Sequence, residues 1–386
     1  MQRLYFLSFI VCLIFVVAPY GAAAQEQDRV MQLLRTLSDA PGPSGFEEPV
    51  RKIMVEQMKP YADRISYDGL GSVISQQGTS TSTPRIMVDA HMDELGGMIR
   101  RITPDGYLSM QMLGGWLDQA LVDQRWTIIT AKGSVQAITG IRDVHLVPPD
   151  ERTRVYPRDS ILLDVGAKTA AEVRAMNIQI GDPVVPDAPF SVLNGTNNYL
   201  GKAWDDRVGC AVIIEVMRRL KTAPHPNQIF YAATVQEEIG LRGAHTATDI
   251  IKPDIGIALE GGVTGDTPGT RPEESQAKLG AGPGIFLYDT SALPNRKLVA
   301  LIKQVAAENR IPLQLDLVQG YGDDSAEIQK SNGGVPSVNL VVVARYTHAH
   351  NGIINRNDFD QMVNLMVALI QKLDAQTVAQ LRDFTP

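Results

Sequence analysis

The sequence is poor in cysteine, in aromatic residues and in positive charge. Its 386 residues include two cysteines, Cys12 and Cys210, which are too few for a disulfide framework. Aromatic residues make up 6%, and 36 Lys and Arg stand against 43 Asp and Glu, for a net charge of −7. A broad basic surface for nucleic acid is therefore excluded, and we expect no nucleic-acid partner. The 44% hydrophobic share is enough for a folded core.

One long hydrophobic run is present, at the start of the chain. Arg3 precedes apolar residues from Leu4 to about Val17, and a small-residue segment ends at Ala24. This order is typical of a signal peptide, here residues 1–24. The run is short for a bilayer span, which needs about 20 residues. We therefore expect cleavage after Ala24, no stable membrane insertion, and a secreted or periplasmic product without an internal disulfide.

Predicted strands alternate with predicted helices in two parts of the chain, and the segment between them has a different sequence pattern. Apolar strands such as residues 84–90 and 227–235 are followed by amphipathic segments, which indicates a mostly parallel sheet with helices on both faces. Residues 97–195 contain short β-rich pieces separated by Gly, Pro and Asp, a pattern typical of a small barrel or sandwich. We predict an α/β fold with a discontinuous domain, residues 25–96 and 196–386, and an inserted β-rich domain.

Acidic residues and histidines follow several of the predicted strands, and two aspartates open a helix. The carboxyl ends of parallel strands lie on one edge of a sheet, so we expect these side chains to gather there. Mixed nitrogen and oxygen ligands suit zinc or a similar divalent ion, and the number of carboxylates indicates two ions. The candidate residues are His91, Asp93, Asp205, Glu237, Glu238, Glu260 and His348.

Each of these signals also has an ordinary structural explanation. Asp205 and Asp206 at a helix start are common capping residues, and a His-x-Asp pair is frequent by chance. Glu237 and Glu238 are adjacent acids that open a helix equally well, although like charges near a core need compensation. The other histidines are expected to be structural or exposed: His145, His225, His245 and, as an exposed loop residue, His350.

Five motifs resemble, in the same order, those of the tetrahedral, dinuclear-metal aminopeptidases: HMDELGGMI, KAWDDRVG, VQEEIGLRGA, ALEGGVTGDTPG and RYTHAH. This is the glutamyl aminopeptidase family, some members of which carry the name cellulase M. The resemblance extends from residue 43 to near residue 360. It implies a zinc-peptidase-like α/β domain with an inserted PDZ-like β-barrel, which agrees with the domain pattern above.

The resemblance also implies a set of metal ligands. By position, His91 and Glu260 would hold one ion, Glu238 and His348 would hold a second, and Asp205 would bridge them. The family usually has aspartate at the position of Glu260. A glutamate still offers carboxylate oxygens, on a stem that is one methylene longer.

Two further roles follow from the same resemblance. Glu237 would be the general base, and Asp93 would orient the ligand His91. The segment GDDSAE at residues 322–327 departs from the more usual GTDAG-like pattern.

The implied function is a metal-dependent aminopeptidase that removes N-terminal residues from peptides. The resemblance implies two divalent ions per subunit, zinc first and cobalt or manganese as substitutes, and homo-oligomers built from dimers, up to dodecamers. One alternative is a carboxypeptidase or N-deacylase of the same zinc clan, whose insertion is usually a larger α/β lid. The other is an endoglucanase, which needs two carboxylic acids and no metal and leaves the histidines without a role.

Overall fold

The computed structural model describes residues 20–78 and 84–385. The helices are α1 (Tyr20–Asp39), α2 (Glu48–Met58), α3 (Ala170–Ala175), α4 (Trp204–Leu220), α5 (Arg242–Ile251), α6 (Arg296–Glu308), α7 (Ser325–Lys330), α8 (Arg356–Lys372) and α9 (Ala375–Arg382). The strands are β1 (Arg64–Tyr67), β2 (Val73–Gln77), β3 (Arg85–His91), β4 (Gly96–Ile102), β5 (Tyr107–Leu113), β6 (Gln124–Thr130), β7 (Gly133–Thr139), β8 (Leu162–Asp164), β9 (Pro183–Pro186), β10 (Ser191–Val192), β11 (Asn198–Gly201), β12 (Gln228–Thr234), β13 (Ile255–Gly262), β14 (Gly284–Phe286), β15 (Gln314–Asp316), β16 (Ser337–Arg345) and β17 (Gly352–Asn355).

The larger sheet is mixed, and its centre is parallel. Its strand order is β1-β2-β12-β3-β13-β16-β17-β11-β10, with β14 added on β16 and β15 on β14. The four central strands β12, β3, β13 and β16 pair in parallel, whereas the flanking pairs on both sides are antiparallel. The predicted α/β fold class is confirmed, and the parallel centre consists of the strands whose ends carry predicted site residues. One further parallel pair, β14 with β15, lies off this centre.

Helices cover both faces of this sheet because the central strands are apolar on both faces. In β3, Ile86 and Val88 belong to the large core that includes α4 and α8, while Met87 belongs to a smaller core with Ile251 of α5 and Ile328 of α7. Successive side chains of a strand point to opposite faces, so both faces of β3 must be covered. Full burial of each such side chain contributes about 1.5–3 kcal/mol.

A separate closed barrel forms from the middle of the chain. Its strand order is β4-β5-β8-β7-β6-β9, between Gly96 and Pro186, and its core includes the fully buried Trp126. The short strand β10 lies within residues 97–195 but pairs with β11 in the larger sheet. The inserted barrel is thus confirmed as an architectural feature, and the exact division into residues 25–96, 97–195 and 196–386 stays a prediction.

The apolar run that suggested a signal peptide lies outside the described residues. Helix α1 begins at Tyr20 and continues without interruption past Ala24, the expected cleavage point, to Asp39. Within residues 20–78 and 84–385, no helix combines the length and apolarity that crossing a bilayer requires.

Candidate active site

The ends of the central parallel strands bring the predicted residues together. His91 is the last residue of β3, Glu260 lies in β13, and Glu237 and Glu238 follow the end of β12. His348 follows β16 in the adjacent loop. Because β12, β3, β13 and β16 run in the same direction, these side chains meet at one edge of the sheet. The predicted gathering of strand-end residues is therefore seen in the structure.

Asp205 lies between the two histidines, at the start of α4. Its Oδ1 is 3.1 Å from Nε2 of His91, and its Oδ2 is 3.3 Å from Nε2 of His348. Contacts with the two histidines lower the pKa of Asp205 although burial opposes this. One carboxylate therefore offers a separate oxygen to each histidine, which is the arrangement that a bridging ligand needs.

The other ring nitrogen of each histidine is held by a carbonyl oxygen. Nδ1 of His91 donates to the backbone oxygen of Asp93 at 3.1 Å and lies 3.5 Å from its Oδ1. Nδ1 of His348 donates to the backbone oxygen of Gly115 at 2.9 Å. These hydrogen bonds place a proton on Nδ1 of each ring, so Nε2, which faces Asp205, is the nitrogen available to a metal ion.

Asp93 connects His91 to the two neighbouring glutamates. Its Oδ1 accepts the backbone N–H of Glu237 at 3.0 Å, and its Oδ2 accepts that of Glu238 at 3.2 Å. Ser44 donates its hydroxyl to the same Oδ2 at 2.6 Å. Although burial opposes it, these hydrogen bonds and His91 lower the pKa of Asp93. The residue is thus held as a carboxylate in the position expected for an orienting group.

Three glutamates crowd around the histidines in a buried setting. Burial raises the pKa values of Glu237 and Glu260 well above their usual range, and that of Glu238 to about 7. Repulsion from neighbouring carboxylates, Asp205 among them, adds to each shift. Such a cluster is costly unless a positive charge compensates it.

The donor set fits a divalent cation. One ligand atom each from His91, Asp205 and Glu238 lie within 4.8 Å of one another. Oε1 of Glu238 is buried and has no hydrogen-bond partner among the described residues. Imidazole nitrogen with carboxylate oxygen is a combination typical of zinc and related ions.

Glu260 reaches the same group in spite of its longer side chain. Its Oε2 lies 3.6 Å from Nε2 of His91, and that of Glu237 lies 3.8 Å from the same nitrogen. On the other side, Oε2 of Glu238 lies 3.8 Å from Nε2 of His348. Of the three glutamates, Glu237 and Glu260 therefore lie near His91, and Glu238 lies near His348.

A cavity of about 210 Å³ opens onto these residues. Its wall combines the acidic residues and His348 with Leu241 and the segment from Gly320 to Gly322. Tyr321 in this segment packs edge-on against Phe286, with ring centroids 5.1 Å apart. The cavity therefore has room for a small chemical group beside the carboxylates and histidines.

Sequence reasoning missed several residues of the site. Ser44 comes from the loop before α2, Gly115 from the barrel, and Tyr321 from the loop before α7. A buried pair of acids, Asp89 and Asp324, lies behind His91, and Thr234 donates to Asp324 at 2.8 Å. None of these residues ends a strand of the central sheet except Thr234, so the strand-end rule could not identify them.

The prediction that His350 is an exposed loop residue is wrong. Its side chain is buried, and its ring lies against two tryptophans of the barrel, 5.5 Å from Trp116 and 4.2 Å from Trp126 between ring centroids. Burial lowers the pKa of His350 to about 4, which keeps the ring neutral. His145 and His245 are exposed, as expected, and His245 contacts Glu327 at 3.2 Å.

Comparison with known proteins identifies the family. Residues 71–365 match the family model described as M42 glutamyl aminopeptidase. The chain belongs to this family. It is 33% identical over 359 residues to the lysyl aminopeptidase of Pyrococcus furiosus, with 92% of this chain and 99% of the relative covered. The predicted family is confirmed, and membership supports metal-dependent aminopeptidase activity.

Solved structures of similar proteins have the same fold. A TET aminopeptidase from a marine sediment archaeon of the Thaumarchaeota is 40% identical, with a TM-score of 0.89 and coverage of 92% of this chain and 99% of that one. The TET1 peptidase of Pyrococcus horikoshii is 30% identical, with a TM-score of 0.81 and coverage of 89% and 100%. The latter is described as able to assemble into a tetrahedron or a large octahedral shell.

The same comparisons contradict the predicted signal peptide and the secreted or periplasmic location. The relatives are TET-type enzymes of the cytoplasm, they show no sign of a signal peptide, and nothing among them points to secretion. The order of a positive charge, an apolar run and small residues was a compositional signal only, and it was misleading here.

Proposed function

We propose that the chain is an aminopeptidase that uses two divalent metal ions to remove N-terminal residues from peptides. His91 and Glu260 would hold the first ion, and Glu238 and His348 the second, with Asp205 shared between them. The observation that carries this proposal is the position of Asp205, whose two oxygens each face one histidine Nε2, at 3.1 and 3.3 Å. Zinc is the proposed metal because the ligands are imidazole nitrogens and carboxylate oxygens.

Bound divalent cations supply Lewis acidity, which activates water and polarises the carbonyl of a scissile peptide bond. The protein supplies the proton transfers. Glu237 lines the cavity and is buried beside His91, and its backbone N–H is fixed by Asp93. We assign Glu237 as the general base, which takes a proton from water and returns it to the leaving amine.

Asp93 acts on the reaction through other residues. It contacts His91 and accepts the backbone N–H groups of both Glu237 and Glu238, so one carboxylate fixes a proposed ligand and the proposed base together. We therefore assign Asp93 as a positioning residue. Acidic groups that remain beside the cavity would favour the ammonium group of a free peptide N-terminus.

We further propose that the protein works as a homo-oligomer built from dimers, as large as a dodecamer. The support is the TET1 peptidase of Pyrococcus horikoshii, which covers nearly the same chain length and is described as able to assemble into a tetrahedron or a large octahedral shell. Light scattering after gel filtration tests this, and a monomer at working concentrations would contradict it. The expectation of no nucleic-acid partner stays a prediction.

The proposed activity is tested with aminoacyl chromogenic substrates, each offered with a free and with an acetylated N-terminus, before and after chelation. We expect hydrolysis of the free forms, poor hydrolysis of the acetylated forms, loss of activity on chelation and its return with zinc. Equal rates of chromophore release from the free and acetylated forms would contradict an aminopeptidase. Loss of the acetyl group, or of the C-terminal residue of a longer peptide, seen by chromatography would favour the alternative deacylase or carboxypeptidase activity. Cleavage of a β-glucan that survives chelation would instead support the endoglucanase alternative.

A further inference from the structure

We propose that the barrel positions His348, the ligand assigned to the second metal ion, through two contacts. In the first, the carbonyl of Gly115 in the barrel accepts a hydrogen bond from His348. In the second, tryptophans of the barrel pack against His350, which lies in the same loop as His348. This inference rests on the proposed two-ion site. It gives the barrel a structural role in the metal site, because the barrel would fix the orientation of one metal ligand.

The loop that carries His348 has a backbone conformation that needs support from outside. Tyr346 and His348 have φ values of +61° and +58°, in the left-handed region that non-glycine residues rarely adopt. Conformations of this kind persist where surrounding structure determines them, and they cost about 1–3 kcal/mol each. The loop lies between β16 and β17, and its described contacts with the barrel are therefore candidates for that support.

The first contact is the hydrogen bond to Gly115. Gly115 follows β5 of the barrel, and its carbonyl accepts the Nδ1–H of His348 at 2.9 Å. A β-carbon on Gly115 would lie 3.2 Å from Nδ1 and 3.6 Å from Cε1 of His348. The imidazole thus rests directly on the barrel backbone, and a single added methyl group would press on the ring.

The second contact is the packing of His350 against two tryptophans of the barrel. The ring lies at 79° to that of Trp126 and at 59° to that of Trp116. Neither ring nitrogen of His350 has a hydrogen-bond partner among the described residues, so the ring is held by aromatic packing rather than by polar contacts. Trp126 is fully buried in the barrel core, and Trp116 donates its indole N–H to the carbonyl of Leu113 at 3.1 Å. Both partners of His350 are therefore part of the barrel core.

Together these contacts connect both the ring of His348 and the loop that carries it to the barrel. Gly115 fixes the imidazole itself, and His350, two residues further along, fixes the loop to the barrel wall. A partner that orients a metal ligand typically changes metal affinity about 10–100-fold when it is altered. The expected effect of disturbing either contact is thus a weaker second ion with little change at the first.

Two variants test the proposal, each with a matched control. Gly115→Ala presses on His348 from the barrel, and Gly140→Ala is its control, because Gly140 has open space around it and an ordinary φ. His350→Ala removes the aromatic anchor, and His145→Ala, an exposed barrel histidine, is its control. His350→Phe keeps a flat ring and should restore what His350→Ala loses.

The measurement is calorimetric titration of the metal-depleted full-length protein with Zn²⁺, together with the melting temperature of the metal-free protein. His348→Ala identifies which binding event belongs to the second ion. We expect Gly115→Ala and His350→Ala to weaken that event about 10–100-fold. We expect the other event to be unchanged in both variants and both controls to match the wild type. The metal-free melting temperature should stay near that of the wild type for Gly115→Ala and fall for His350→Ala, which removes a buried ring.

Unchanged affinity at the second event in both folded variants would overturn the proposal. Equal weakening of both events with a lower metal-free melting temperature would also overturn it, since this is the result of a general structural role. If His350→Ala does not fold, Gly115→Ala alone decides between these results. A single binding event in the wild-type protein would contradict the proposed two-ion site, and so separates failure of that proposal from failure of this one.

Discussion

At the scale of single residues, two neighbouring glutamates have different surroundings. Glu237 lies 3.8 Å from His91, and Glu238 lies 3.8 Å from His348. The other carboxylate oxygen of Glu238 has no hydrogen-bond partner in the part of the chain that the structure describes. We expect Glu237→Gln to keep both metal ions, because it removes a base and not a ligand. Its kcat should fall about 10²–10⁴-fold, the usual contribution of a positioned acid–base group. Metal content and kcat, measured on the same sample, check this.

Glu238→Gln is the matched comparison. It should lower metal content, and added zinc should restore part of its activity, because an amide is a weaker ligand than a carboxylate. If Glu237→Gln loses metal while Glu238→Gln keeps it, the two roles are exchanged. Full activity in both variants would show that this is not the catalytic site.

Asp323 provides a residue-scale prediction about pH that does not depend on metal. Burial and repulsion from Asp289 raise the pKa of Asp323 to about 8, whereas an aspartate in an unfolded chain has a pKa near 3.9. Between these values the folded protein holds a proton that the unfolded chain has released. The stabilising contribution is therefore complete below about pH 4 and is lost as pH rises towards about 8.

Asp323→Asn removes this titration and keeps a side-chain oxygen for the backbone N–H of Ser325. Its melting temperature should decline less between pH 5 and pH 8 than that of the wild type. The control is Asp159→Asn on an exposed turn, which should follow the wild-type curve. The quantity compared is the slope of the melting temperature against pH, so a loss of stability that is the same at every pH does not affect it. Parallel curves for Asp323→Asn and the wild type would contradict the assignment.

At the scale of elements, a buried ion pair fixes the start of α4, where Asp205 lies. Nζ of Lys202 donates to both carboxylate oxygens of Glu94 at 2.6 Å and to the carbonyl of Ala40 at 3.1 Å. Arg207 of α4 donates to the carbonyls of Leu37 and Ala40. The end of α1, the segment after β3 and the start of α4 are therefore joined by buried charges.

Lys202→Met should destabilise the protein by about 3–5 kcal/mol, because it leaves Glu94 buried without its closest partner. Lys221→Met is the matched control. Lys221 pairs with Asp63 at 3.3 Å on the surface, and loss of such a pair costs at most about 1 kcal/mol. Denaturant unfolding of the metal-free proteins measures both, and similar losses for the two variants would contradict the expected difference.

The elements also show which parts of the site a sequence can predict. His91, Glu237 and Glu260 lie at the ends of apolar strands, and the pairing of these strands in parallel follows from their alternation with helices. That these residues lie close together was predictable because local pattern and sheet geometry agree. The antiparallel strands on both sides of the centre were not, because short strands such as β10 and β17 have little pattern of their own.

Contacts between segments that are distant in the sequence could not be predicted from local sequence patterns. His350 follows a strand and precedes the pair Asn351-Gly352, which is typical of turns, and this favours exposure. The tryptophans that bury it are more than 200 positions earlier in the chain. Gly115 carries no side chain, and its part in the site is a carbonyl oxygen. Interactions of this kind depend on how the barrel packs against the larger sheet, and no periodicity in the sequence encodes that.

At the scale of the whole molecule, the proposed ligands join segments that are far apart in sequence: β3, the start of α4, the segment after β12, β13 and the loop after β16. A cation that binds these residues only when the chain is folded stabilises the whole fold. At a free cation concentration 100 times the dissociation constant, the gain in the free energy of unfolding is about 2.7 kcal/mol. Zinc should therefore raise the melting temperature of the chelated protein in a concentration-dependent way. Asp205→Asn should lose most of this rise because Asp205 is shared by both ions, whereas Glu237→Gln should keep it. If zinc leaves the melting temperature of the wild-type protein unchanged, or raises that of Asp205→Asn equally, the cluster is not a metal site.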